Sequence, residues 1–411
     1  MPRLLMIGGN RSTVGSIKAL RSAGFAVAVA EKLPRQYAFE AADRGFEVAA
    51  DDLDGLRAAI RGWGGVDGIV GINEAAMMSA AVLQQELALP GLAPDVIRRT
   101  TSKLAQRRAW AFDPLLSVPF ETVASADALA GAIARIGGFP VIVKPDLSLG
   151  GSRGVSLAVN DGEADTAFAF AQEHGLEGSQ VLVERALGGP QFSAELATRD
   201  GVTRVLAIGR KIKSAAPYRV DLAISYPGVT DEAVITAIER MSAAACLALG
   251  ITRGPGHIEF ALTPGGPRPI ELAARPGGSL TADLAAHVSD YHPMVEAAKL
   301  ACDLPTGGWP DVHRRGAVLM FLAYPPGKAK ALRLPDSVTR DAAVLDADAR
   351  LPDSGMIQPV QWTSQRLGYL GVVGHDGPAA LTQALALAAR VQVENEKGQF
   401  LLPLTLEASA G

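Results

Sequence analysis

Gly256-His257-Ile258-Glu259-Phe260-Ala261-Leu262 runs into Thr263-Pro264-Gly265-Gly266-Pro267 and on to Arg268-Pro269-Ile270-Glu271-Leu272. The central Pro-Gly-Gly-Pro is turn chemistry, and the apolar residues on either side suit the two strands of a hairpin. With residues 263–267 as the loop, Leu262 pairs with Arg268 and Glu259 falls opposite Glu271. Like charges opposed across an antiparallel pair repel, and an unpaired carboxylate on a largely apolar hairpin is costly to bury. A divalent cation between them removes the conflict. Mg²⁺ is commonly held by one or two carboxylates plus substrate phosphates. The competing reading is two solvated glutamates on a polar edge, and Pro269, which cannot donate to a ladder, weakens the register.

The rest of the chain bounds what such a site could serve. Its 411 residues suffice for two or three domains. With 48% hydrophobic and 20% charged residues it reads as an ordinary globular protein. The net charge of −4 and the lack of a Lys/Arg run argue against a nucleic-acid partner. Two cysteines, Cys246 and Cys302, are too few for a disulfide framework or a Cys-rich metal centre, and a reduced cytoplasm fits best. The N-terminal apolar run is too short for a signal peptide and no stretch approaches a membrane span, so no membrane partner is expected.

Short apolar strands are expected over Leu4–Ile7, Phe25–Glu31, Gly45–Ala50 and Gly68–Ile72, with helices between them, the pattern of a parallel α/β sheet. The Gly8-Gly9-Asn10 turn lacks the full dinucleotide spacing and is weak evidence for nicotinamide. A second unit begins near Thr100, with a helix around Ser102–Phe112, the strand Pro140–Pro145 and the apolar run Gln180–Leu187. From about Arg315 a third unit carries strands over Ala317–Ala323 and Leu367–Val373 and a final helix over Pro378–Val391.

Lys144 ends an apolar strand, where an ammonium is expensive without an anion. The following Gly150-Gly151-Ser152 loop offers bare backbone N–H groups, so the pair reads as a phosphate cradle of non-Walker type. A snorkelling edge lysine beside a flexible loop explains the same residues. Lys103 and Arg107, four apart, share one helix face and alone read as solvated. Glu184 ends a strand before Leu187, where side chain and backbone could read an adenine edge, or it is a plain strand-end carboxylate. His257 shares a strand face with Glu259 and reads as a packed neighbour rather than a ligand. Arg275 is placed to meet a phosphate or a carboxylate. Candidate specificity residues lie over 210–226, where Tyr218, Arg219 and Asp221 cluster, and over 279–283; Trp110 and Trp362 are candidate pocket walls.

Taken in order, Lys103, Val143-Lys144-Pro145, Gly150-Gly151-Ser152, Glu184 with Leu187, then Glu259, Glu271 and Arg275 resemble the ATP-grasp superfamily. Glu271-Leu272-Ala273-Ala274-Arg275, with Ala273 where many members carry a metal-binding Asn, is similar to the L-amino acid ligases that make dipeptides. The resemblance implies an α/β ATP-grasp architecture: an N-terminal parallel α/β domain over 1–99, a two-lobed ATP-binding middle over 100–310 (smaller lobe about 115–187), and a small α+β C-terminal domain over 311–411. It implies ATP and Mg²⁺ (or Mn²⁺) as cofactors. Lys103 and Lys144 would hold the α- and β-phosphates under the loop at Gly150, Gly151 and Ser152. Glu184 and Leu187 would hold adenine, Gln191 the ribose, and Glu259 with Glu271 the metal. Arg275 and Lys211 are the catalytic candidates, with Lys213 an equal alternative to Lys211. Arg275 with Gly277, Gly278 and Ser279 would bind substrate. The implied partners are a small carboxylate and an amine, joined through an acyl phosphate, and the superfamily's habits allow a homodimer. A bicarbonate- or formate-using carboxylase of the same superfamily and a non-catalytic nucleotide sensor are the alternatives.

Overall fold

Leu4–Ile7, all buried, form the centre of the first sheet in the computed structural model, which describes residues 1–33, 36–307 and 315–404. Strands β1 (Arg3–Ile7), β2 (Ala26–Ala30), β3 (Arg44–Phe46) and β4 (Gly68–Gly71) run parallel in the order β3-β2-β1-β4. Strands buried on both faces read as continuous apolar runs, which is why Ala26-Val27-Ala28-Val29-Ala30 carries no alternation. Helices α1 (Val14–Ser22), α2 (Gln36–Ala41), α3 (Leu53–Gly62) and α4 (Glu74–Glu86) connect and flank them. The third strand stops at Phe46, short of the expected Ala50, because the Val48 amide turns back onto the Phe46 carbonyl at 3.0 Å.

Helices α5 (Pro94–Thr101) and α6 (Lys103–Trp110) lead into a small antiparallel sheet of β5 (Phe120–Val123), β6 (Val141–Pro145), β7 (Ser156–Ala158) and β8 (Val181–Arg185), ordered β5-β8-β6-β7. Helices α7 (Leu129–Arg135) and α8 (Asp161–His174) back this sheet and bury Ile133 and Phe168 against Val141 and Val183. The expected 99/100 boundary falls within α5, and the expected 310/311 boundary lies outside the described residues.

The largest sheet holds β9 (Gln191–Arg199), β10 (Val202–Lys213), β11 (Asp221–Tyr226), β12 (Gly254–Thr263), β13 (Gly266–Ala273), β14 (Gly316–Leu322), β16 (Val344–Ala349) and β18 (Gly368–Gly374). Their order is β13-β12-β9-β10-β11-β14-β18-β16. The strands expected near 317 and 367 are β14 and β18, and they extend this sheet through the β11–β14 pairing instead of standing apart. A separate small sheet of β15 (Gly327–Arg333), β17 (Met356–Ile357), β19 (Gln392–Asn395) and β20 (Phe400–Leu401) lies beyond them, with α12 (Asp336–Thr339) and α13 (Gly377–Ala388). On the large sheet, α9 (Glu232–Leu249) covers Phe192 and Phe260, whose rings stack at 5.5 Å. Helices α10 (Thr281–Ser289) and α11 (Pro293–Ala301) join it to the N-terminal sheet. Trp110 is wholly buried in the α9 core, its Nε1 donating to Ala245 O at 3.4 Å, so it is no pocket wall. Among the described residues, no helix is long and apolar enough to cross a membrane.

Candidate active site

The β12–β13 turn is shorter than its sequence suggests. Thr263 faces Gly266, Leu262 faces Pro267 and Ala261 faces Arg268, so the loop is Pro264-Gly265 rather than residues 263–267. The Thr263 hydroxyl closes it, accepting from Gly265 N at 3.2 Å and donating to Gly266 O at 2.8 Å. The register then shifts at a bulge: Phe260 faces Pro269, yet Glu259 faces Glu271, with Ile270 the extra residue. The tighter turn and the bulge offset each other, so Glu259 and Glu271 stand opposite as expected for a different reason. Arg107 holds the bulge, Nη1 donating to Pro269 O at 3.2 Å and Nη2 to Ile270 O at 2.9 Å.

Both glutamates open onto a cavity of about 200 Å³ between the small sheet and the large one. Lys103, Lys144, Glu184, Leu187, Gln191 and Arg275 line it, and the Gly150-Gly151-Ser152 loop closes one side. Lys103 and Lys144 are brought together by Asp146. Its Oδ1 accepts from Ser102 Oγ and from Leu104 N, both at 2.8 Å, and so caps α6 from the end of β6. The four remaining sequence candidates do not line the cavity. Gly277 N donates to Glu195 Oε2 at 2.9 Å, the Gly278 carbonyl accepts from Thr281 Oγ1, and Ser279 turns with a φ of 57°. Lys211 lies beneath Glu259, its Nζ 2.5 Å from Glu259 Oε1 and 3.0 Å from Asp221 Oδ2, while Lys213 faces the cavity and pairs with Asp221 at 2.8 Å.

Lys103 and Arg107 are buried rather than solvated. Arg107 grips Glu184 with two parallel bonds of 2.8 and 2.9 Å, and Lys144 Nζ adds a third at 2.8 Å. Burial alone would raise the Glu184 carboxyl, but Arg107 and Lys144 outweigh it and hold it at about 2. Burial pulls Lys144 down to about 8 against the attraction of Glu184. Both carboxylate oxygens are committed to cations, and Glu184 organises the floor of the cavity. Burial would lower His257, but Glu195 at 2.6 Å, helped by Glu259, lifts it to about 9. Burial would also lift the Glu259 carboxyl; Lys211 and its neighbours keep it well below the ordinary carboxylate range.

Glu271 lies 3.6 Å from Lys103 Nζ. The side chains of Glu259 and Glu271 are 31% and 39% exposed, which leaves their carboxylates accessible from the cavity. Among the described residues, no group of three or more His, Cys, Asp or Glu could hold a metal by itself. Two facing carboxylates open to the cavity are the donor type that suits an oxygen-seeking cation such as Mg²⁺.

Glu74 escaped the sequence reading. It opens α4 just after the Asn73 cap and reaches the cavity from the N-terminal sheet, pairing with Arg275 at 2.7 Å. Burial would raise it, yet Arg275 holds it below its ordinary value. The available signal was its place after the carboxyl end of β4, where open parallel sheets gather ligand groups. A second missed contact comes from the C-terminal half. Thr363 N donates to Gly151 O at 3.0 Å, and Gly151 has a φ of 66°, so a Cβ there would collide with Thr363 Oγ1. Beside it the Trp362 ring meets Phe170 at 6.2 Å and His174 at 4.9 Å, with the Arg153 guanidinium 4.9 Å above.

Residues 137–283 match the family profile of the ATP-grasp domain. No curated protein sequence matches the chain. The L-amino acid ligase from Bacillus licheniformis superposes with a TM-score of 0.78 at 21% identity, covering 96% of this chain and 99% of that one. Phosphoribosylglycinamide synthetase from Anaerococcus prevotii follows at 0.73 and 16%, covering 96% and 100%. N5-carboxyaminoimidazole ribonucleotide synthetase from Thermotoga maritima reaches 0.69 at 18%, with the same coverage. The chain therefore has the ATP-grasp fold.

Proposed function

From a chain that carries an ATP-grasp domain and this cavity, we propose an ATP-dependent, ADP-forming carboxylate–amine ligase acting on an amino acid. The observation that carries the reading is Glu259 opposite Glu271 at a cavity that also holds Lys103, Lys144 and the Gly150–Ser152 loop. Phosphoryl transfer asks a protein for positioning and charge neutralisation rather than covalent help. Lys103 and Lys144 supply cations for the phosphates, and the loop supplies N–H donors. Glu259 and Glu271 would hold Mg²⁺, which when bound neutralises the phosphate charge.

Arg275 and Glu74 form an oppositely charged pair at the cavity wall, suited to the carboxylate and ammonium ends of an amino acid. Lys213, not Lys211, is the lysine placed to meet the γ-phosphate; Lys211 fixes Glu259 from below. In the first step a substrate carboxylate oxygen attacks the γ-phosphorus, the bond to the β-phosphate oxygen breaks, and ADP leaves. In the second the amine nitrogen attacks the acyl carbon, the carbon–oxygen bond to phosphate breaks, and the amine loses a proton. Resemblance to an L-amino acid ligase over nearly the whole length supports the amino acid as substrate class, on the fold alone.

The test is an ADP-release screen over pairs of amino acids and small carboxylic acids, with mass analysis of the products. Wild-type protein should form ADP only with a competent acid. Glu271→Gln should lower that rate about 100-fold or more, the scale of losing one charge-stabilising group, with its urea midpoint unchanged. Full turnover in Glu271→Gln would remove the metal assignment.

A further inference from the structure

Of the cations that line the cavity, nearly all are spoken for. Lys144 and Arg107 share Glu184, Lys213 holds Asp221, Arg275 holds Glu74, Lys103 stands by Glu271, and Arg185 donates to Gly137 O. Arg219 is the exception among the described residues: it lines the cavity with no carboxylate against it, and its Nε is shut away from solvent without an acceptor.

The chain goes to some length to present this side chain. Arg219 has a φ of 48°, a left-handed backbone that a non-glycine residue adopts only under strain. The loop that bears it is pinned at its ends, with Ser214 N donating to Val220 O at 2.7 Å and Val220 N to Ser214 Oγ at 2.9 Å. Its neighbour Tyr218 is fixed as well, accepting from Gln361 Nε2 at 2.7 Å and lying 5.2 Å from the Phe170 ring. Lys213 and Asp221 flank the loop, and Asp221 shares Lys211 with Glu259, so the ends of the loop stand near Glu259.

We propose that Arg219 determines substrate specificity by binding a second carboxylate, so that the acid this enzyme activates is dicarboxylic. A guanidinium fork matches a carboxylate with two parallel bonds. On the ligase reading the triphosphate already has three lysines, the glycine loop and the metal pair, and the reacting end of the acid has Arg275. A side-chain carboxylate is the anion still lacking a partner. A neutral amide of the same shape can accept only one of the two bonds through its carbonyl and turns its own N–H₂ toward the other guanidinium N–H, which is how a polar site rejects an isostere.

This specificity rests on the ligase reading, and one experiment separates the two. ADP formation is compared for glutamate against glutamine and for aspartate against asparagine, in wild type, Arg219→Gln and Arg219→Lys, with the KM for ATP recorded throughout. Wild type should favour the acidic member of at least one pair tenfold or more in kcat/KM. Arg219→Gln should erase that preference with the KM for ATP unchanged, and Arg219→Lys should restore part of it. A wild-type preference for the amides overturns the assignment, as does a Gln variant whose acid-to-amide ratio persists or whose KM for ATP rises instead. In those cases ADP still forms and the ligase reading stands. No ADP with any acid ends both.

Discussion

Arg107 connects more of this site than any residue the sequence singled out. Its guanidinium holds Glu184 on one side and the carbonyls of Pro269 and Ile270 on the other, so the floor of the cavity and the bulge beside Glu271 share one anchor. Removing one partner of a buried pair leaves a stranded charge and costs about 3–5 kcal/mol. Arg107→Met should lose stability on that scale in urea unfolding; a loss below about 1 kcal/mol would mean Glu184 is held by Lys144 alone. Glu184 itself makes stability depend on acid. Its folded carboxyl sits at about 2, below an unfolded value near 4.5. The contribution is therefore complete above about pH 4.5 and is lost as pH falls toward 2, about 3 kcal/mol at most. Glu184→Gln should flatten that acid limb of the stability profile, whatever it does to the plateau.

At the scale of elements, the hairpin teaches the clearest lesson. Its two strands, its turn chemistry and the facing glutamates were legible, because apolar runs and Pro-Gly-Gly-Pro are local signals. The bulge at Ile270 was not, because what stabilises it is Arg107, more than a hundred and fifty residues away in sequence. For the same reason Lys103 and Arg107 read as a solvated helix face and proved buried: helix periodicity says which residues share a face, not what covers it. The glycine-rich loop shows the converse case. Gly150-Gly151 is visible in sequence, but the demand for glycine at 151 comes from the left-handed backbone and the Thr363 hydroxyl together. Gly151→Ala should raise the KM for ATP about tenfold, as expected for a strain of about 1–2 kcal/mol. Combining it with Thr363→Ala should recover only the steric part. An unchanged KM in the single variant would show that the loop does not close over the nucleotide.

Across the whole molecule, the parallel N-terminal sheet and the hairpin of β12 and β13 followed from strand patterning, whereas the joining of β14 and β18 to the large sheet did not. Sheet order is a long-range choice that short apolar strands leave open. Glu74 was lost for the same reason, since only assembly of the N-terminal sheet against β13 brings it to Arg275. The C-terminal half also touches the small sheet's lobe directly, through Thr363 on Gly151 and Trp362 against Phe170, His174 and Arg153. Any parting of the lobe to admit a nucleotide must peel those rings away from the indole. Trp362 is thus a built-in optical reporter, since indole emission follows the polarity of its surroundings. Intrinsic fluorescence should shift on adding ATP, and Trp362→Phe should abolish most of that shift while Trp110, sealed in the α9 core, stays silent. A signal that survived in Trp362→Phe would locate the opening hinge elsewhere. Read in a stopped-flow cell, the same emission would time each breath of the lobe against the appearance of ADP, and tell whether motion or chemistry sets the pace.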